Sequence, residues 1–177
     1  MIAQFGHIKI VKFHSERGND LYDLIERNRE ELNTYFAGTT SKTKTLEDTL
    51  TYSLVINERM ERKEYFPFLL INQQTDALIG FVDVKNIDWS IPKAELGYFI
   101  DANSGGKGIT SKAVELIIDY LIEEYQFKKL LCRTGGENIG SIKVAIKNGF
   151  KLEGTIRRDY KTTSGDLVDL NYYGRIF

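Results

Sequence analysis

A glycine-dense turn, Asn103-Ser104-Gly105-Gly106-Lys107-Gly108-Ile109-Thr110, constrains this chain more than any other segment. An apolar strand-like run, Ala94-Glu95-Leu96-Gly97-Tyr98-Phe99-Ile100, leads into it, and an amphipathic stretch from Ser111 to Tyr125 leads out. The N–H groups in the first turn of a helix have no intrahelical acceptors, and the helix dipole adds partial positive charge beside them. Small residues ahead of that turn let a ligand approach the main chain and let the backbone adopt positive φ. The combination is suited to an anion such as a phosphate or pyrophosphate, although taken alone it also describes a tight helix entry. The run satisfies neither G-x-x-x-x-G-K-[ST] nor G-x-G-x-x-G, which argues against a nucleotide-binding enzyme built on this loop.

A second motif follows about thirty residues on: Asn138-Ile139-Gly140-Ser141-Ile142-Lys143-Val144-Ala145-Ile146-Lys147-Asn148-Gly149-Phe150. It reads as a short helix with apolar Ile142, Val144, Ala145 and Ile146, a Gly149 stop and a following strand. The two motifs, in this order and separated by a helix and a strand, resemble the GNAT N-acetyltransferases. Within them the chain is similar to the RimJ/RimL type, which acetylates the N-termini of ribosomal proteins. The resemblance is carried by Ala94 to Tyr98, by Gly106-Lys107-Gly108-Ile109, and by the N-x-x-S-x-x-V-x-x-K-x-G-F run from Asn138. Leu152-Glu153-Gly154, Gly165-Asp166 and the stretch from Asp169 to Ile176 extend it.

That resemblance implies an α/β (α+β) fold: a mixed, mostly antiparallel sheet with helices on both faces. It implies that the strand ending near Ile100 and the strand starting near Leu130 splay apart, with acetyl-CoA in the wedge. The N–H groups of Gly106, Gly108, Ile109 and Thr110 become the expected pyrophosphate cradle, with Lys107 available to a phosphate. Tyr98, Phe99 and Ile100 would pair with the pantetheine amides and polarise the thioester. Asn138 would contact the same arm or cap its helix. Ser141 matches the position that protonates the leaving thiolate and also contacts the cofactor. Glu95 and Asp159 are the two candidates for the base. A partly desolvated strand carboxylate such as Glu95 can take a proton directly or through water. The chain departs from the family pattern at Gly105, where Gln or Arg is usual, and at Ala145, where many relatives carry a catalytic Tyr.

Bulk properties narrow the alternatives. The 177 residues suit one domain, 1–177, without repeats or linkers. Lys plus Arg (24) against Asp plus Glu (25) leaves a net charge of −1, so no general basic face points to nucleic acid. No apolar run approaches the ~20 residues of a membrane span. The N-terminal stretch lacks the features of a signal peptide, and the single Cys132 fits a reducing compartment, so a cytoplasmic location is expected. His7 and His14 have no Cys or carboxylate cluster around them, and no metal is expected. Cys132 lacks a nearby His and reads as packing rather than as an acyl carrier.

Along the chain, His7 to Phe13 alternates like a half-buried strand. A helix is expected over Asp20 to Phe36, capped by Asn19 or Asp20, with Leu21, Leu24, Ile25 and Leu32 inward. Ala37 to Thr45 reads as an exposed loop. A second helix, capped by Thr45 or Asp48, runs to about Lys63 with Leu46, Leu50, Leu54 and Val55 inward. Phe66 to Ile71 and Leu78 to Lys85 form a hairpin, Leu130 to Thr134 a strand, and Phe150 to Arg158 with Val168 to Ile176 a final pair. The expected activity is direct acetyl transfer from acetyl-CoA to a primary amine, with a protein N-terminal α-amino group as acceptor and a homodimer as the assembly. A small-molecule, polyamine or antibiotic acetyltransferase, and a non-catalytic acyl-CoA-binding regulatory domain, are the alternatives.

Overall fold

The computed structural model describes residues 1–177. Eight strands form one sheet in the order β1-β2-β3-β4-β5-β6-β8-β7. They are β1 (Ala3–Phe5), β2 (Ile8–Lys12), β3 (Phe66–Asn72), β4 (Leu78–Asp88), β5 (Lys93–Ile100), β6 (Lys129–Thr134), β7 (Lys151–Lys161) and β8 (Leu167–Ile176). Every neighbouring pair is antiparallel except β5–β6, which is parallel. The helices are α1 (Gly18–Arg27), α2 (Arg29–Tyr35), α3 (Ala37–Thr40), α4 (Leu46–Glu61), α5 (Ile109–Tyr125) and α6 (Ile139–Lys147).

Helices cover both faces of the sheet, as the resemblance implied. On one face Val114, Ile117, Ile118 and Leu121 of α5 pack on Phe68, Val82, Leu96 and Tyr98. On the other, Leu21, Leu24 and Ile25 of α1 and Ile56 of α4 pack on Leu69, Ile71 and Phe81. A strand sandwiched this way can be apolar at every position, which is why β3 and the first half of β4 read as unbroken apolar runs. No helix is long and apolar enough to cross a membrane.

Three local expectations are corrected. The first helix is neither continuous nor capped by Asn19 or Asp20. A 3-10 turn over Ser15–Arg17, capped by His14, runs into α1, and the path breaks at Asn28 before α2. Asn28 is buried and bridges two elements: its Nδ2 donates to Leu24 O at 2.7 Å and its Oδ1 accepts from Ala102 N at 3.0 Å. The break therefore fixes the start of the glycine turn against the end of α1, and Arg27 adds a 2.8 Å bond to Asp101. The segment from Ala37 to Thr45 is not simply an exposed loop, because it contains α3 and buries Thr40 and Thr43.

The third correction concerns α4. Of the two expected caps Thr45 is the one used, with Asp48 returning the bond in a capping box, but the helix is rotated from its predicted orientation. Leu46, Leu50, Leu54 and Val55 are 39–60% exposed, whereas Thr49, Ser53 and Ile56 are buried. The reason is close approach to α1. A Cβ at Gly18 would lie 2.8 Å from Leu50 Cδ2 and 3.1 Å from Ser53 Oγ. With no side chain at Gly18 the helices can come that near, and Ser53 satisfies its hydroxyl on Thr49 O at 2.8 Å.

Candidate active site

The parting of the sheet sets the site. β5 and β6 are in register only from Lys93↔Lys129 to Leu96↔Cys132, so Gly97 to Ile100 have no partner on the β6 side. β6 meanwhile stays paired with β8 as far as Thr134↔Asn171. The N-termini of α5 and α6 both face the resulting wedge, because each helix starts just after the strand that borders it. Tyr98 pins one lip: its buried hydroxyl donates to Ser141 O of α6 at 2.9 Å, and burial raises its pKa.

Two cavities meet in the wedge, of about 520 and 550 Å³, with Tyr35, Phe36, Tyr98, Asn138 and Ser141 lining both. They form one passage through the opened sheet. The half beside α5 is lined by Phe99, Ile100, Gly106, Gly108, Ile109 and Thr110, so the predicted cofactor residues converge there. Gly106 and Gly108 both have φ +74°, a left-handed conformation that L side chains rarely adopt. No protein acceptor takes the N–H groups from Gly106 to Ser111, and a Cβ at Gly106 or Gly108 would meet nothing within 4 Å. Free donors around open space at a helix N-terminus fit a diphosphate. Lys107 is the exception among the predicted contacts. It does not line the passage, and its ammonium donates to Asn103 O at 3.1 Å.

Asn138 caps α6, its Oδ1 accepting from Ser141 N at 3.0 Å. That contact turns Ser141 toward the junction of the two halves. Of the apolar residues read on α6, Ala145 alone is buried, since the helix lies over the wedge rather than inside the core.

The other half of the passage is polar. Glu95 is buried, and its Oε2 accepts from Asn86 Nδ2 and Arg133 Nε, both at 2.8 Å. Lys85 Nζ stands 3.9 Å from Glu95 Oε1 and 3.5 Å from Asp83 Oδ1. Burial opposes the charge on Arg133 and Lys85, but the carboxylates beside them prevail and raise both pKa values. Asp159 does not line the passage. It accepts from Tyr172 Oη at 2.5 Å and lies 3.4 Å from Arg133 Nη1. Cys132 belongs to the α5-side core and also borders the cavity, and burial pushes its thiol up to about 12, which leaves it without thiolate at neutral pH.

Sequence reasoning did not identify Lys85, Arg133, Phe36 and Tyr160, which line the same half. Asp83 and Lys85 interrupt an apolar strand at a spacing of two, a visible sign of one polar facet on β4. Tyr160 left no such sign: its hydroxyl accepts from Ala37 N at 2.7 Å, joining β7 to the α2–α3 corner over the cavity.

Comparison with known proteins agrees with this architecture. The domain model described as "Acetyltransferase (GNAT) domain" matches residues 9–151. The chain is 35% identical over 105 residues to "Probable N-acetyltransferase YjcK" of Bacillus subtilis (strain 168), covering 59% of this chain and 58% of that protein. It is 29% identical over 121 residues to the ribosomal-protein-serine acetyltransferase of Escherichia coli (strain K12), covering 68% and 66%. The match thus spans less than two thirds of either relative. Among solved structures, the ribosomal-protein-S5-alanine acetyltransferase from Vibrio fischeri superposes with a TM-score of 0.91 at 23% identity, covering 98% of this chain and 95% of that one. The RimL ribosomal L7/L12 α-N-protein acetyltransferase in complex with coenzyme A gives 0.92 at 20%, covering 99% and 97%. At these identities the superpositions speak to the fold. With the domain match running from β2 to the start of β7 and the parted sheet between β5 and β6, the chain belongs to the GNAT acetyltransferase family.

Proposed function

We propose that this protein is an acetyl-CoA-dependent N-acetyltransferase that moves the acetyl group directly onto a protein N-terminal α-amino group. The observation that carries the reading is the passage itself. Unclaimed main-chain donors lie at one end, a polar chamber with Glu95 lies at the other, and Ser141 stands between them. Acetyl-CoA supplies the acyl group as a thioester. The N–H groups of Gly106, Gly108, Ile109 and Thr110 hold its diphosphate, and the unpaired edge of Gly97 to Ile100, with Asn138, orients the pantetheine arm. Main-chain donors at that edge stabilise the oxygen as the amine nitrogen bonds to the carbonyl carbon. Glu95 accepts the proton that the amine gives up, directly or through water. Ser141 Oγ donates a proton as the C–S bond breaks and the thiol leaves. Asp159 supports Arg133 and Tyr172 in this scheme.

The named acceptors of the E. coli, V. fischeri and RimL proteins support a ribosomal or other protein N-terminus as substrate. A cytoplasmic homodimer completes the proposal. The exposed edge strand β7, with Leu152 and Ile156 uncovered, supports a surface for the second copy. The test is mass spectrometry after incubation with isotopically labelled acetyl-CoA and a mixed acceptor panel. The panel holds free N-terminal peptides, N-terminally blocked lysine peptides, polyamines and aminoglycosides. Label on peptide α-amines is expected. Label confined to small amines would replace the proposal by a small-molecule acetyltransferase, and acetyl-CoA binding without transfer would replace it by a regulatory domain.

A further inference from the structure

Beside Glu95 lies a charge pair that the reaction scheme leaves unused. Asp83 and Lys85 project from β4 on the facet shared with Glu95 and Gly97 of β5, Asp83 opposite Gly97 and Lys85 opposite Glu95. Asp83 is buried, with Oδ2 accepting from the Tyr65 hydroxyl at 2.9 Å and Oδ1 without a hydrogen-bond partner. Room for the pair exists because residue 97 is glycine. A Cβ there would overlap Asp83 Oδ1 and come within 2.8 Å of Lys85 Nζ. Lys85 is drawn over Asp83 at 3.5 Å and stands 5.6 Å from the centre of the Phe36 ring.

Neither ion pair of Lys85 is as short as a good hydrogen bond, so its N–H donors remain uncommitted. Glu95 meets its two donors through Oε2, which leaves Oε1 open. Lys85 and Glu95 both line the acceptor half of the passage. The chamber therefore presents a donor and an acceptor 3.9 Å apart. The first residue of a peptide carries the complementary pair: an amine and a carbonyl oxygen held about 3 Å apart by the N–Cα–C=O unit. A lysine side chain or a polyamine has no carbonyl at that distance.

We propose that Lys85 is a specificity residue, donating to the carbonyl oxygen of the acceptor's first residue while Glu95 Oε1 faces its α-amine. The inference rests on the proposed α-amino acetylation and deepens it: the enzyme reads the backbone of its acceptor, not only the amine. Asp83, through its contact with Lys85, is the positioning residue. The ammonium of Lys85 also disfavours a second positive charge beside it, which helps present the amine in its neutral, nucleophilic form.

The experiment compares kcat/KM for an N-terminal alanyl peptide with that for the same peptide whose first amide is replaced by an alkene isostere. Both keep a primary amine, and the second lacks the carbonyl. The native enzyme is expected to favour the amide by about tenfold to a hundredfold, the range for a hydrogen bond to a charged group. In Lys85→Met that ratio should fall to within about threefold, while acetyl-CoA affinity by calorimetry stays unchanged. If Lys85→Met fails to fold with Asp83 uncovered, the double variant Asp83→Asn/Lys85→Met carries the same test. An unchanged ratio in the variant, or equal use of both peptides by the native enzyme, overturns the role of Lys85 while leaving α-amino acetylation standing. Acetylation of small amines but of neither peptide overturns both.

Discussion

Replacing Gly97 by alanine opposes two effects whose signs differ. Strand propensity and the smaller entropy of an unfolded alanine both favour the substitution, by roughly 0.4–1 kcal/mol. The packing opposes it, because the new Cβ would occupy the space of Asp83 Oδ1 and crowd Lys85 Nζ. Lys85, at the end of a flexible and partly exposed side chain, can give way, but the Asp83 carboxylate is buried and held by the Tyr65 hydroxyl, so it has nowhere to go. Overfilling a packed site costs about 1–3 kcal/mol, which exceeds the propensity gain. The net cost is about 0.6–2 kcal/mol, and with an unfolding entropy of about 2.1 cal/mol/K per residue the 177-residue chain loses about 2–5 °C in Tm. Scanning calorimetry measures this directly. A double-mutant cycle then identifies the cause, because Gly97→Ala in an Asp83→Ala background has no carboxylate to displace. The coupling between the two substitutions should exceed about 1 kcal/mol. A Gly97→Ala protein as stable as the native one, or one whose loss persists unchanged without the Asp83 carboxylate, would refute the packing argument.

Gly108→Val forces a β-branched residue into φ +74° and shifts the first-turn donors of α5, so the acetyl-CoA KM should rise about tenfold to thirtyfold; steady-state kinetics at saturating amine measure it, and an unchanged KM contradicts the cradle. Glu95→Gln should lower kcat by about a hundredfold with acetyl-CoA affinity retained. An unchanged kcat would leave Glu95 a purely structural partner of Arg133. The Cys132 thiol, raised by burial to about 12, binds its proton more tightly in the folded than in the unfolded chain. Its contribution is complete below the unfolded value near 8.5 and is lost as pH rises toward 12. Stability relative to Cys132→Ala should therefore fall by up to about 1.4 kcal/mol per pH unit above that value, read from denaturant titrations at a series of pH values.

Local signals served well where the physical demand is itself local. Thr45 was legible as a cap of α4 because its bond to Asp48 N spans only three residues. Asn138 predicted the cap that turns Ser141 into the wedge for the same reason. The α4 stripe misled because leucine at helical spacing reports only which face could be apolar. Which face turns inward depended on Gly18 of α1 and on how near two helices can come. The break at Asn28 was equally hidden, since its reason is a bond to Ala102, 74 residues away.

The sequence by itself determined the family, the two helix entries and the glycine turn with its unclaimed donors, because positive φ at Gly106 and Gly108 and free first-turn donors follow from residues adjacent in the chain. Tertiary structure alone decided what faces the polar chamber. Lys85, Glu95 and Arg133 meet across three strands, and their spacing and reach depend on burial and cross-strand register. Those quantities exist only once the strands have paired and parted.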